Sequence, residues 1–216
     1  MSAKNEVKGV KPKFRGHFHQ QAFFVSVGAC ALLIAKSSNT QSFKAAAIYS
    51  FGLLFLFGCS SVYHRFHWSP EARNLIQRFD HSAIFILIAS TVTPIALLAL
   101  PSQQGGRLLL IIWLSALTGT LISIFWTSAP KWLIAALCVG MGWLSFPYFG
   151  EMNENFTSRE LNFLIAGGVA YSVGAIFYAL KRPKLWPTTF GYHELFHLCT
   201  LIGAALHFCA IYTLIV

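Results

Sequence analysis

Seven long stretches of this 216-residue chain contain no Asp, Glu, Lys or Arg: 16–35, 45–64, 81–106, 108–130, 132–150, 161–180 and 195–216. Each has 19 or more residues, close to the roughly 20 that carry a helix across a bilayer. A backbone in hydrocarbon must satisfy its own polar groups, so a helix is the default for each stretch. Charged residues make up 11% of the chain and apolar ones 56%, against about 25% charged in soluble domains. We therefore expect an all-α membrane protein: a seven-transmembrane helix bundle forming one domain, 16–216, behind a short basic tail, 1–15. No short apolar stretch with a small-residue cleavage site opens the chain, so the first span is expected to act as its own insertion signal in a multi-pass integral membrane protein. The plasma or inner membrane is the expected host.

Basic residues set an expected orientation. Lys4, Lys8, Lys11, Lys13, Arg15, Arg65, Arg73, Arg78, Lys131, Lys181, Arg182 and Lys184 fall on one side of the seven spans. Only Lys36, Lys44, Arg107 and Arg159 fall on the other, beside Glu151, Glu154 and Glu160. Positive-inside bias then places the N-terminus in the cytosol and the C-terminus outside. The net charge of +9 is thus spent in short loops, facing anionic headgroups rather than nucleic acid. Trp68, Trp126, Trp132 and Trp186 flank the same loops as interfacial anchors. Residues 1–14 are expected to be mobile. In the loop 65–79, Ser69 can cap, Pro70 suits a first helical position, and Trp68, Ala72, Leu75, Ile76 and Phe79 form an apolar stripe; we expect a short helix lying in the interface. Pro94 and Pro147 are expected to kink their spans.

The polar residues that remain are few. His193 and His197, four residues apart, open the last span and stack on one face of a helix. His64 ends the second span, one turn beyond Ser60, and Asp80, the only aspartate, begins the third. With alternating spans, these three helix ends arrive at the same membrane depth. Ionisable groups within spans usually face a cavity or one another. Three imidazoles plus water is the open arrangement of a catalytic zinc, whereas structural zinc sites tend to be closed and cysteine-rich. His64, His193 and His197 are thus the expected ligands of one Zn²⁺. Asp80 is the expected holder and deprotonator of the water, with Ser60 beside it.

Other candidates read more plainly. His207 is expected to make a polar contact between helices, and His81 to point away from the cluster. Glu194 is expected to turn from the ligands toward Lys184 or Arg182. His17, His19 and His67 are expected to sit solvated among headgroups. The five cysteines lie inside apolar stretches with no CxxC pair and read as small buried hydrophobes.

Ser60-x3-His64, Asp80-His81-Ser82-Ala83-Ile84 with Thr93-Pro94, and His193-x3-His197 together resemble the haemolysin III family, of the wider superfamily of progestin and adiponectin receptors (PAQR) and alkaline ceramidases. The run 63–72 and the entry Arg15-Gly16-His17-Phe18-His19 are similar as well; Ser90 and Val92 stand where Gly and Tyr are usual. The resemblance implies seven helices, a cytosolic N-terminus, and zinc on His64, His193 and His197 with Asp80 and Ser60 close by. It also implies a lipid as substrate or ligand, since relatives hydrolyse lipid amides such as ceramide. Three functions follow as expectations: a zinc-dependent hydrolase of ceramide-like amides or esters, a cytolytic pore-former, or a receptor with structural zinc. A secreted toxin fits poorly, because seven apolar spans cannot be delivered as a soluble monomer.

Overall fold

The computed structural model of the chain describes residues 12–186 and 188–216. The elements run α1 (His17–Lys36), α2 (Thr40–Arg65), α3 (Pro70–Leu98), α4 (Ser102–Phe125), α5 (Lys131–Gly142), a 3₁₀ segment (Trp143–Tyr148), the short α6 (Phe149–Met152), α7 (Ser158–Leu180) and α8 (Tyr192–Ile215). With α5, the 3₁₀ segment and α6 taken as one span, seven helices are long and apolar enough to cross a membrane. Among the described residues there is no sheet, only an isolated bridge between Trp186 and Phe190.

The helix ends are set by local chemistry. Asn39 Oδ1 accepts hydrogen bonds from the Gln41 and Ser42 amides, both 2.9 Å, and opens α2. Ser69 Oγ accepts from the Ala72 amide at 3.3 Å and opens α3. Glu160 Oε2 accepts from the Thr157 amide at 2.6 Å and opens α7. Each satisfies donors that the first helical turn leaves unpaired.

Two boundaries differ from the charge-free windows. The amphipathic stretch after Ser69 is no separate interfacial helix: it continues into the third span as one 29-residue α3, because nothing between Pro70 and Asp80 breaks the helix. The third span then ends near Leu100-Pro101, and Arg107 lies inside α4. Proline lacks the amide that would extend α3, whereas an arginine near a helix end can remain in the headgroups. Pro94 sits within α3 without ending it. Pro147 falls where the fifth span tightens from α to 3₁₀.

α3 is the central helix. It packs against α2, α4, α5 and α8, while α1 and α7 close the ring through α2 and α8. Side chains such as Phe85, Val92, Ile112 and Met152 fill one half of the interior. Leu33, Tyr49, Phe57 and Ile211 fill the other. The outer surface carries exposed Phe24, Val25, Phe51, Leu110 and Phe125, the apolar exterior that suits lipid. Alternation of direction brings the end of α2 and the starts of α1, α3 and α8 to one end of the bundle.

Candidate metal centre

At that end three imidazoles meet. His64 from the last turn of α2 and His193 and His197 from the first two turns of α8 place ligand atoms within 4.8 Å of one another. His64 Nε2 and His193 Nε2 are 3.1 Å apart. The ring centroids of His193 and His197 lie 4.5 Å apart, as the four-residue helical spacing requires. In a tetrahedral site with metal–nitrogen bonds of about 2.0–2.1 Å, ligand nitrogens are roughly 3.3 Å apart. The trio therefore fits one ion after small side-chain rotations.

Asp80, in the third turn of α3, directs Oδ2 to 3.9 Å from His64 Nε2. Its carboxylate is within hydrogen-bonding reach of the Ser60 hydroxyl, one turn before His64 on α2. Ser60, His64, Asp80 and His197 are all buried. The five residues expected from the sequence thus occupy one place, supplied by three helices. A cavity begins there and runs down the bundle axis between α3, α5, α7 and α8, with apolar walls such as Ile84, Ile88, Val92 and Phe196.

Several neighbours differ from expectation. His19 is buried rather than solvated: α1 begins at His17, which turns His19 inward, and its ring stacks on His197 with centroids 3.9 Å apart and planes 6° apart. A signal was present, since His19, Ala22, Ser26, Cys30 and Leu33 recur at helical spacing and form the buried face of α1. His17 shares a 2.7 Å contact with Arg65 Nη1, while His67 is exposed. His81 faces the same cavity as Asp80. His207 does make an interhelical contact, donating from Nε2 to the Leu164 carbonyl at 3.0 Å.

Glu194 turns away from the ligands, but its ion-pair partner is Arg15, from the segment before α1. It is buried, and its Oε2 also accepts from the Gly191 amide at 2.8 Å. Residues 12–15 are correspondingly held. The Lys13 and Phe14 amides donate to the Thr188 and Thr189 carbonyls at 3.1 and 3.2 Å. Residues 1–11, the rest of the expected mobile tail, lie outside the described residues. Gly16 turns this segment into α1 with φ +79°, and a Cβ there would come within 2.6 Å of His64 Cβ. The N-terminal segment thus lies directly on a candidate ligand.

Comparison with known proteins agrees over most of the chain. A family model described as "Haemolysin-III related" matches residues 8–208. The chain is 34% identical over 195 residues to Hemolysin-3 of Bacillus cereus, covering 88% of this chain and 85% of that protein. It is 30% identical to the Hemolysin-3 homolog of Bacillus subtilis (strain 168), covering 90% of each. Human monocyte to macrophage differentiation factor is 26% identical over 200 residues, 90% of this chain and 81% of that one.

Proposed function

The chain belongs to the haemolysin III family of multi-pass integral membrane proteins, and from that premise we propose that it is a zinc-dependent hydrolase that cleaves an amide or ester bond within a membrane lipid. The observation that carries this reading is the conjunction of three convergent imidazole nitrogens, a carboxylate 3.9 Å from one of them, and an apolar cavity that starts at the same point.

His64, His193 and His197 would hold the ion. When bound, zinc supplies Lewis acidity that polarises a carbonyl and yields a nucleophilic water at neutral pH. Asp80 lies outside the nitrogen trio and would hold a water by a hydrogen bond and accept its proton as general base. Ser60 carries one hydroxyl proton, which would either hold the carboxylate rotamer or be donated toward a developing oxyanion. The apolar walls hold the acyl chain and exclude bulk water, which strengthens every polar interaction at the cluster. The cluster's end of the bundle would face the cytosol, by the distribution of basic residues.

The test is lipid mass spectrometry of the purified protein incubated with a broad mixture of membrane lipids, with and without a chelator, alongside elemental analysis. Chelator-sensitive appearance of free fatty acid, with about one zinc per chain, is the expected result. Zinc at that stoichiometry with no lipid turned over would instead leave the ion a structural role.

A further inference from the structure

Lys131 is the first residue of α5. Ile134, Ala135, Cys138, Val139 and Gly142 recur behind it at three- and four-residue spacing, and all five line the cavity that begins at the metal centre. Lys131 thus heads the cavity-facing stripe of α5. A lysine at the end of a span ordinarily extends toward water. This one is half-buried and turns inward. Its Nζ sits 4.5 Å from the ring centroid of Tyr178 on α7 and 5.3 Å from that of Tyr192 on α8, and it donates to the Tyr192 hydroxyl at 3.3 Å. Tyr178 lines the cavity, and its ring is 5.8 Å from that of His193. One aromatic side chain therefore links the ammonium to the candidate ligands.

No carboxylate lies within ion-pair distance of Lys131 among the described residues: Glu194 is taken by Arg15, and Asp80 faces His64. Other cations at this end are directed elsewhere, Arg65 to His17 and Gln20 and Arg73 to the face of Tyr63. The two tyrosine faces hold the ammonium in place but supply no net countercharge. An ammonium has three donors, and Tyr192 takes one. His81, on α3, lines the same cavity close enough for the Lys131 charge to act on its ring, and it has no hydrogen-bond partner among the described residues. A fixed, uncompensated cation thus stands where an apolar cavity meets the polar end of the bundle. It complements a molecule with a hydrocarbon chain at one end and an anion at the other.

We propose that Lys131, with His81 near it, binds a phosphate monoester on the lipid, so that the preferred ligand carries a phosphate headgroup close to its amide or ester bond. The proposal rests on the lipid-hydrolase reading for the bond that lies at the histidine cluster. Lysine binds phosphate as a point charge, without the geometric demands of a guanidinium fork. In a sphingoid-type amide, about five bonds of ~1.5 Å separate the carbonyl carbon from the phosphorus, roughly 6 Å when extended. That reach matches a site in which a single ring stands between Lys131 and His193. The acyl chain then runs down the apolar cavity while the phosphate stays at its mouth.

The experiment is saturation binding of two tritiated lipids, N-octadecanoylsphingosine and its 1-phosphate, to the full-length protein purified in a neutral detergent. The expected result is that the 1-phosphate binds about 10–100-fold more tightly, the scale of one hydrogen bond to a charged group. Lys131→Gln should abolish that gain while keeping the affinity for the unphosphorylated lipid, and Lys131→Arg, which keeps the charge, should retain most of it. Lys36→Gln, at the opposite end of the bundle, should leave the gain unchanged. Equal affinity for the two lipids in the wild type overturns the proposal and leaves the lipid reading standing. A gain that persists in Lys131→Gln, or that falls as far in Lys36→Gln, overturns the assignment to Lys131. Displacement of the 1-phosphate by inorganic phosphate alone would mark a free-anion site and overturn the headgroup assignment. No saturable binding of either lipid overturns the lipid reading together with the proposal.

Discussion

Arg15 and Glu194 form an ion pair across 179 positions of sequence. Glu194 sits between the two α8 histidines in the chain and is almost wholly buried, while Arg15 keeps about a quarter of its side chain exposed (1% and 24%). The pair ties the N-terminal segment to the turn of α8 that presents His193 and His197. We expect Arg15→Ala to weaken metal binding by about 10–100-fold, the usual range for groups that orient ligands without touching the ion. Arg15→Lys should fall between, since it keeps the charge without the guanidinium fork. Competition against a chromogenic chelator measures this. A lower unfolding temperature with unchanged metal affinity would reduce the pair to a structural anchor.

His64, His193 and His197 should together hold about one zinc per chain. His197→Ala should largely remove it, and acidification should release it, because protons compete for the same ring nitrogens. Elemental analysis after gel filtration at neutral and mildly acidic pH checks both statements. Full zinc content in all three single alanine variants would refute the assignment.

Asp80→Asn separates binding from chemistry. The substitution keeps size and polarity but removes the proton acceptor, so zinc should remain while lipid hydrolysis falls by roughly 10²–10⁴-fold. Metal content and turnover are measured on the same preparation. Loss of zinc would make Asp80 a ligand, and unchanged turnover would exclude it from the reaction.

Gly16→Ala puts a side chain where φ is +79° and His64 Cβ is 2.6 Å from the new atom. The left-handed backbone alone costs roughly 1–2 kcal/mol for an L-residue, and His64 must shift as well. Thermal stability and zinc affinity should both fall. Gly28→Ala in mid-α1, where an added Cβ meets nothing within 4 Å, is the control and should be neutral or slightly stabilising.

The distribution of basic residues predicts that the loop 151–160 faces outward. A cysteine introduced at Asn153 should react with an impermeant reagent in intact cells, and one at Lys184 should not. The opposite pattern would invert the orientation and put the metal centre on the outer face.

The chain alone determined what depends on local composition and period. Hydrocarbon excludes charge and unpaired backbone, so charge-free stretches of bilayer length marked the seven spans before any packing was known. Alternating direction then carried His64, Asp80 and the α8 pair to one end, since each lies at the edge of a charge-free stretch and the span count fixes which end. Tertiary structure decided what depends on how the helices rotate and what covers their ends. His19 reads locally as a headgroup histidine and becomes buried only because α1 turns it onto His197. Glu194 has nearby lysine and arginine in its own loop, yet it pairs with Arg15 because the N-terminal segment crosses that end of the bundle. The boundary between the third and fourth spans moved to Pro101 because a missing amide stops a helix more firmly than an arginine that can reach water. Burial, ring orientation and the partner of a charge are properties of contacts between distant segments, and local sequence contains no term for them.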